Sequence, residues 1–179
     1  MNDLSIDLET MGTEPGSAIV GLGACFFDTN TEQIGERFYR AINLASACEA
    51  GLKIDPATCM WWMGQSDAAR NAIRFSTHTL RDALLDFSEW ALNHCPKDEI
   101  RTWTRGPSFD SALLSVAYKA VGLEPPWFYY HERCHRTLTA RNPSVPRPER
   151  TDTAHRADDD AVHQAQWLID IARHHRSKA

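Results

Sequence analysis

Apolar and polar residues alternate from the fourth position of the chain. Leu4, Ile6 and Leu8 are separated by Ser5, Asp7 and Glu9, the period-two signature of a strand over Leu4 to Glu9. After a turn over Thr13 to Ser17, which holds Pro15 and Gly16, the run from Ala18 to Phe27 is apolar enough for a strand buried on both faces. Asp28 to Gly35 reads as a polar hairpin loop returning into a third strand over Glu36 to Ile42. Helices follow. Pro56 suits the first turn of one carrying Met60, Trp61, Trp62 and Met63. Thr79 is placed to cap another over Leu80 to His94, with Leu80, Leu84, Phe87 and Ala91 on one face. Ile100 to Thr104 is a short strand bounded by Gly106-Pro107. Ser108 is the cap candidate for a helix with Leu113, Val116, Ala117 and Ala120 as its buried stripe. Trp127 to His131 leaves strand and loop both open.

Three prolines between Asn142 and Arg150 predict a loop. A last helix begins near Ala157, with Ala161, Ala165, Leu168, Ile169 and Ala172 as its stripe and a basic tail, His174 to Lys178, that should fray. A meander followed by helices alternating with strands fits an α/β fold, a mixed sheet with helices on its faces. The length of 179 residues accommodates one such domain, over 1–179 with a frayed 170–179, and not two.

Charge narrows the function. Lys and Arg total 19 against 24 for Asp and Glu, a balance of −5, so the chain has no broadly basic surface for gripping DNA. Nucleic-acid contact would need a local basic patch or bridging metal ions. No stretch approaches the roughly 18 apolar residues of a membrane helix, and the N-terminus is acidic where a secretory leader is basic. Five cysteines, an odd number without a CxxC pair, point to a reducing, cytoplasmic setting. Asn142-Pro143-Ser144 cannot be glycosylated. Gly21-x-Gly23 lacks the third glycine of a dinucleotide fingerprint, and His131, Cys134 and His135 lack a fourth zinc ligand.

The carboxylates carry more information. Asp7 and Glu9, two apart on a strand, project from one face, close enough to share a divalent cation that relieves their repulsion. Taken alone, the pair is better explained by an ordinary solvated strand face. Residues 1 to 36 hold seven acids and no Lys or Arg, which favours Mg²⁺ or Mn²⁺ over direct phosphate binding. Asp110 at a helix start is accounted for by the helix dipole. Three consecutive acids, Asp158, Asp159 and Asp160, beside His155 are not, because their mutual repulsion requires an offset.

These residues carry a resemblance. Ile-Asp7-Leu-Glu9-Thr, then Trp103-Thr-Arg-Gly-Pro-Ser-Phe-Asp110, then His155-Arg-Ala-Asp-Asp-Asp160 resemble, in order and in His-x4-Asp spacing, the three motifs of the DEDDh 3′–5′ exonucleases. Trp61-Trp62-Met63-Gly64-Gln65-Ser66 is similar to the phage exonuclease A type and to small bacterial 3′–5′ exoribonucleases such as RNase T. The likeness runs from Leu4 to about Leu168. It implies a ribonuclease H-like fold and a metal-dependent 3′–5′ exonuclease that releases nucleoside 5′-monophosphates from single-stranded RNA or DNA 3′ ends. Asp7, Glu9, Asp110 and Asp160 match the family's metal ligands for two Mg²⁺ or Mn²⁺ ions, and His155 matches its general base. Two cations about 4 Å apart serve such hydrolysis by activating water and steadying the leaving oxygen. An imidazole titrates near neutral pH and so suits the proton transfer. Two departures stand out. Asp158 replaces a common apolar residue, which leaves Asp159 as an alternative to Asp160, and Arg105-Gly106-Pro107 replaces an Asn-Gly pair. Residues 141–153 match no known pattern.

Substrate contacts are assigned to Thr10 and Met11 beside the terminal nucleotide, and to Phe109 and Trp62 as stacking platforms. Trp61 and Trp62 point in different directions, so one of them belongs to the core. Six arginines over 133–156 (Arg133, Arg136, Arg141, Arg147, Arg150 and Arg156) face only Glu149 and Asp152, either as a phosphate-tracking rim or as a solvated loop. The resemblance leaves a homodimer open, and the setting is a bacterial or phage-infected cell. The alternatives are an oligoribonuclease-like enzyme acting on very short RNAs, and a catalytically silent nucleic-acid-binding relative.

Overall fold

The computed structural model describes residues 1–150 and 155–178. Its centre is a five-stranded mixed sheet of order β3-β2-β1-β4-β5. Strands β1 (Asp3–Thr10), β2 (Ile19–Asp28) and β3 (Gln33–Ala41) form the antiparallel meander. β4 (Arg101–Thr104) and β5 (Arg133–Cys134) add in parallel on the other side of β1. The helices are α1 (Leu44–Glu49), α2 (Pro56–Met63), α3 (Asp67–Arg74), α4 (Leu80–His94), α5 (Asp110–Ala120), α6 (His135–Ala140) and α7 (Ala157–Arg176). This is the mixed sheet flanked by helices that the sequence predicts.

The alternation in β1 sorts the two faces. Leu4, Ile6 and Leu8 pair with Phe26, Ala24 and Leu22 and bury against α4 and α5 in the main core. Phe26 and Phe38 meet Trp90 and Phe87 of α4 with centroids 5.2 Å apart. On the opposite face Ser5, Asp7 and Glu9 stand across from Cys25, Gly23 and Gly21. There α7 packs, its Ala161, Ala165, Leu168 and Ile169 sharing a smaller core with Cys25 and Phe27. β2 is covered from both sides, which accounts for its unbroken apolar run.

Several expectations are corrected. The loop over Asp28 to Gly35 is only four residues long, because the Asp28 carboxylate accepts the N–H groups of Asn30 (2.6 Å) and Thr31 (3.1 Å) and tightens the turn. β3 therefore starts at Gln33. Ser108 does not cap α5. The helix begins at Asp110, and the Gly106 carbonyl accepts the N–H groups of Phe109 (2.8 Å) and Asp110 (3.2 Å) in a tight turn. Its buried stripe is Leu113, Leu114, Ala117 and Tyr118, while Val116 and Ala120 face solvent. Trp127 to His131 is a loop ending in a 3-10 turn over Tyr129–His131. On α7, Ile171 is buried and Ala172 half-buried. The basic tail is helical through Arg176 and tied down. Arg173 and Arg176 donate to Glu32 at 2.7 and 2.5 Å, and Arg176 also donates to the Thr29 carbonyl. Cations in a last helical turn are favoured by its dipole as well.

Candidate active site

β1 delivers Asp7 and Glu9 from its C-terminal half, and a register shift between Glu9 and Thr10 ends its regular pairing with β2. The turn after β4 delivers Asp110 to the first position of α5. α7 delivers Asp160 from its first turn, with His155 just before the helix. These five side chains line one cavity of about 560 Å³ together with Leu8, Phe109 and four arginines, Arg105, Arg136, Arg147 and Arg150. Ligand atoms of Glu9, His155 and Asp160 lie within 4.8 Å of one another, the one such cluster of metal-binding side chains among the described residues.

Glycine makes this convergence possible. Asp7 pairs in register with Gly23, and a Cβ on Gly23 would lie 2.0 Å from the Asp158 nitrogen and 2.1 Å from the Ala157 carbonyl carbon. The backbone of α7 thus rests directly on β2 beside Asp7.

The three consecutive acids divide their tasks. Asp158 takes hydrogen bonds from Arg37 (2.9 Å) and Arg156 (2.7 Å), and Asp159 is also paired with Arg37. These pairs supply the offset that their repulsion requires. Asp160 alone of the three lines the cavity, where it takes the His155 backbone N–H at 2.9 Å and pairs with Arg150. The phase of α7 therefore points Asp160, and not Asp159, at Glu9.

Crowding of carboxylates shows in their proton affinity. Burial first, then the charges of Asp110, Glu9 and Asp160, push the Asp7 carboxyl well above its ordinary value, against a hydrogen bond from Gln164. Burial, with Asp160 and Asp110, pushes Glu9 up to about 8 despite the pull of Arg150. Burial raises Asp110 to about 6, opposed by the peptide N–H groups of Gly106, Asp110 and Arg105. One oxygen each of Glu9 and Asp110 is buried with no hydrogen-bond partner.

His155 adopts a left-handed backbone conformation, φ 61°, uncommon outside glycine. Its ring stands edge-on to Trp61 at 5.1 Å between centroids.

The remaining assignments separate. Thr10, Trp61 and Trp62 line an adjoining cavity of about 540 Å³ that shares Leu8, Glu9 and Phe109 with the first. Within it the Thr10 hydroxyl is committed to the Gly12 carbonyl at 2.7 Å. Trp62 is 4% exposed and its indole N–H donates to the Thr10 carbonyl at 2.9 Å, so it is the core member of the tryptophan pair. Trp61, 46% exposed, offers the accessible ring. Met11 lies outside both cavities, in an apolar hollow with Val20 and Ile42. Of the six arginines over 133–156, Arg136, Arg147 and Arg150 reach the carboxylate cavity. Arg133 instead lines a groove with Asp3 and Trp103, and Arg156 holds Asp158. Asp152 and the rest of 151–154 lie outside the described residues.

Three contributors escaped the sequence reading as site residues. Arg105 stands one residue from the Gly-Pro turn, Gln164 donates to Asp7 at 2.6 Å, and Gly23 admits α7. Gln164 had a signal: a polar residue one helical turn after Asp160, inside a stripe of alanines.

Comparison with known proteins gives the family and the fold. A family model described as the 3′–5′ exoribonuclease Rv2179c-like domain matches residues 2–172. An exodeoxyribonuclease of Enterobacteria phage T4 is 30% identical over 124 residues, which cover 64% of this chain. The match spans only 54% of the phage protein's own length. The nuclease domain of 3′hExo, a DEDDh family member solved bound to rAMP, superposes with a TM-score of 0.68 at 15% identity, covering 96% of this chain and 92% of that one. Cell-death related nuclease 4 gives 0.64 at 13% identity, over 96% and 64% of the two chains. At such identities the superpositions speak for the fold.

Proposed function

The chain belongs to the 3′–5′ exoribonuclease Rv2179c-like domain family, and from that premise we propose that it removes nucleoside 5′-monophosphates from the 3′ ends of single-stranded nucleic acid, RNA foremost. The observation that carries the reading is the cavity in which Asp7, Glu9, Asp110, His155 and Asp160 meet.

The donor set fits divalent cations. It is all hard oxygen, its carboxylates crowd one another, and Glu9 and Asp110 each keep a buried oxygen without a partner. Asp7, Glu9, Asp110 and Asp160 would hold two such ions, Mg²⁺ or Mn²⁺. Bound there, the ions supply Lewis-acid activation of water and charge stabilisation at the phosphorus and the leaving oxygen.

The protein's own groups do the rest. His155 accepts the proton of the attacking water, with its backbone fixed by Asp160 and its ring bordered by Trp61. Attack at phosphorus breaks the bond to the 3′ oxygen of the preceding nucleotide, which takes a proton from solvent and leaves as a new 3′ hydroxyl. The adjoining cavity, walled by Trp61 and Phe109, receives the terminal nucleoside. Arg105, Arg136 and Arg147 face the strand's phosphates. The phage relative favours DNA as a second substrate. A homodimer belongs to the same proposal on family grounds. So does a cytoplasmic location, which the five unpaired cysteines support.

The test uses 5′-labelled single-stranded RNA and DNA of one sequence, with Mn²⁺ or with EDTA. A ladder shortening from the 3′ end is expected only with metal, and it should slow about 10²- to 10⁴-fold in His155→Ala. No cleavage of either strand by folded, metal-supplemented protein would overturn the proposal. Arg147→Ala should raise KM with kcat nearly unchanged and flatten the dependence of log KM on log salt by about one unit. An unchanged salt slope would remove Arg147 from the phosphate track.

A further inference from the structure

We propose that Gln164 is a positioning residue for Asp7. Its side-chain amide holds one carboxylate oxygen, fixes the rotation of the carboxylate, and so presents the other oxygen to the cations. This inference rests on the metal-dependent reading above and adds a residue to it.

The geometry is specific. Gln164 Nε2 donates to Asp7 Oδ1 at 2.6 Å, joining residues 157 positions apart. Gln164 lies four residues after Asp160 on α7, so both side chains leave the same face of the helix. One helix thus supplies a carboxylate to the cavity and a clamp for the strand-borne Asp7 behind it. The spacing between the two elements is set by backbone, since Ala157 and Asp158 rest against Gly23, the register partner of Asp7. A clamp on such a support has little slack.

The chemistry of the amide matters as much as its place. Asp158, Asp159 and Asp160 are paired with the guanidinium groups of Arg37, Arg156 and Arg150. The side chain that donates to Asp7 is instead a neutral amide. An arginine or lysine at 164 would neutralise Asp7 and compete with a divalent cation. A glutamine orients the carboxylate and leaves its full charge for the ion. With Asp7 ionised, as it must be to hold a cation, the amide cannot be turned round, because a carboxylate acceptor requires its NH₂ end. That orientation leaves Gln164 Oε1 buried with no partner, which costs stability. A position selected for stability alone would be better filled by an apolar side chain, as at Ala161, Ala165 and Leu168 around it.

Groups behind a metal ligand typically change metal affinity 10- to 100-fold when removed. Two variants test the assignment. Gln164→Met keeps the length and removes the donor. Gln164→Asn keeps the amide and withdraws it by one methylene. Mn²⁺ binding is measured by calorimetry, thermal midpoints in EDTA, and kcat and KM on single-stranded RNA at saturating Mn²⁺. The expected result is a Mn²⁺ dissociation constant raised about 10- to 100-fold in both variants, with the EDTA midpoint of Gln164→Met no lower than that of the parent and KM for RNA unchanged. A purely structural role would lower the EDTA midpoint instead. Parental Mn²⁺ affinity in a folded Gln164→Asn or Gln164→Met protein overturns the assignment while leaving the nuclease reading intact. Failure of the parent itself to bind Mn²⁺ or cleave RNA overturns both.

Discussion

Gly23→Ala is expected to destabilise the protein by about 3 kcal/mol or more and to abolish nuclease activity. The added Cβ would fall 2.0 Å from a backbone nitrogen and 2.1 Å from a backbone carbonyl carbon of α7. No side-chain rotation relieves a collision with backbone, so either the start of α7 lifts from the sheet or β2 bends. Lifting α7 withdraws Asp160 from Glu9 and Gln164 from Asp7, and it breaks the pairs of Arg37 with Asp158 and Asp159. Against a total stability of about 5–15 kcal/mol such a loss is large. Gly64→Ala is the matched control: its Cβ would sit 3.4 Å from the Trp61 carbonyl oxygen, an ordinary contact, at a backbone φ of −84°. Urea melts of both variants decide the matter. A Gly23→Ala protein with the parental midpoint and activity would show that α7 does not seat on β2 as described.

The second large effect is a metal-induced stabilisation that grows with pH. Glu9 and Asp110 rise from ordinary values of 4.5 and 3.8 to about 8 and about 6, and Asp7 rises as well. A carboxyl with a raised folded-state pKa binds its proton more tightly when folded than unfolded. Its contribution is fully present below the unfolded value and is lost as pH climbs through the folded one. Metal-free protein should therefore lose stability between about pH 4.5 and pH 8. Each such group removes about 1.4 kcal/mol per pH unit between its own unfolded and folded values, so the contribution of Asp110 is spent near pH 6. Divalent cations reverse the trend, because they bind the ionised carboxylates and displace the protons. Thermal midpoints in EDTA should fall from pH 5.5 to pH 8, those in Mn²⁺ should hold or rise, and the gap should widen. A gap that stays constant or narrows with pH would count against these carboxylates as the binding site.

Much of this was legible in the chain. β1, α4 and α7 announce themselves because a period of two or of about 3.6 survives wherever one face of an element is buried, while β2 shows as an unbroken apolar run and α2 through Pro56. α1 and α3 were not foreseen. α1 has six residues, α3 has eight of which only half are apolar, and each is fixed by a local cap, Asn43 accepting from the Ser46 N–H and Ser66 from the Ala69 N–H. β5 has only two residues, too few for any pattern. Asp7, Glu9, Asp110, His155 and Asp160 could be named because their order and the His-x4-Asp spacing resemble the three DEDDh motifs, which no one of these residues suggests alone. Trp61 and Trp62 could be recognised as divided between core and surface, but not in which order, since that depends on how α2 rolls against Thr10. Gly23 was invisible for a related reason, and the spacing from Asp160 that marked Gln164 did not name its partner. A glycine in a strand or a glutamine in a helix acquires a role only from what lies across from it. Met11, next in sequence to Thr10, faces another hollow because the chain turns away after β1.

The first strand lies at the middle of the sheet and the last helix crosses it, so the candidate site joins residues 7 and 160. Contacts this distant in the chain are entropically late to form, and proteins dominated by them fold slowly. Until α7 docks, Cys25 and Phe27 have no cover on that side of the meander. Acquisition of hydrolytic competence and concealment of this sticky face are therefore one event in time. A partly synthesised or partly unfolded molecule would be harmless to nucleic acid and prone to self-association.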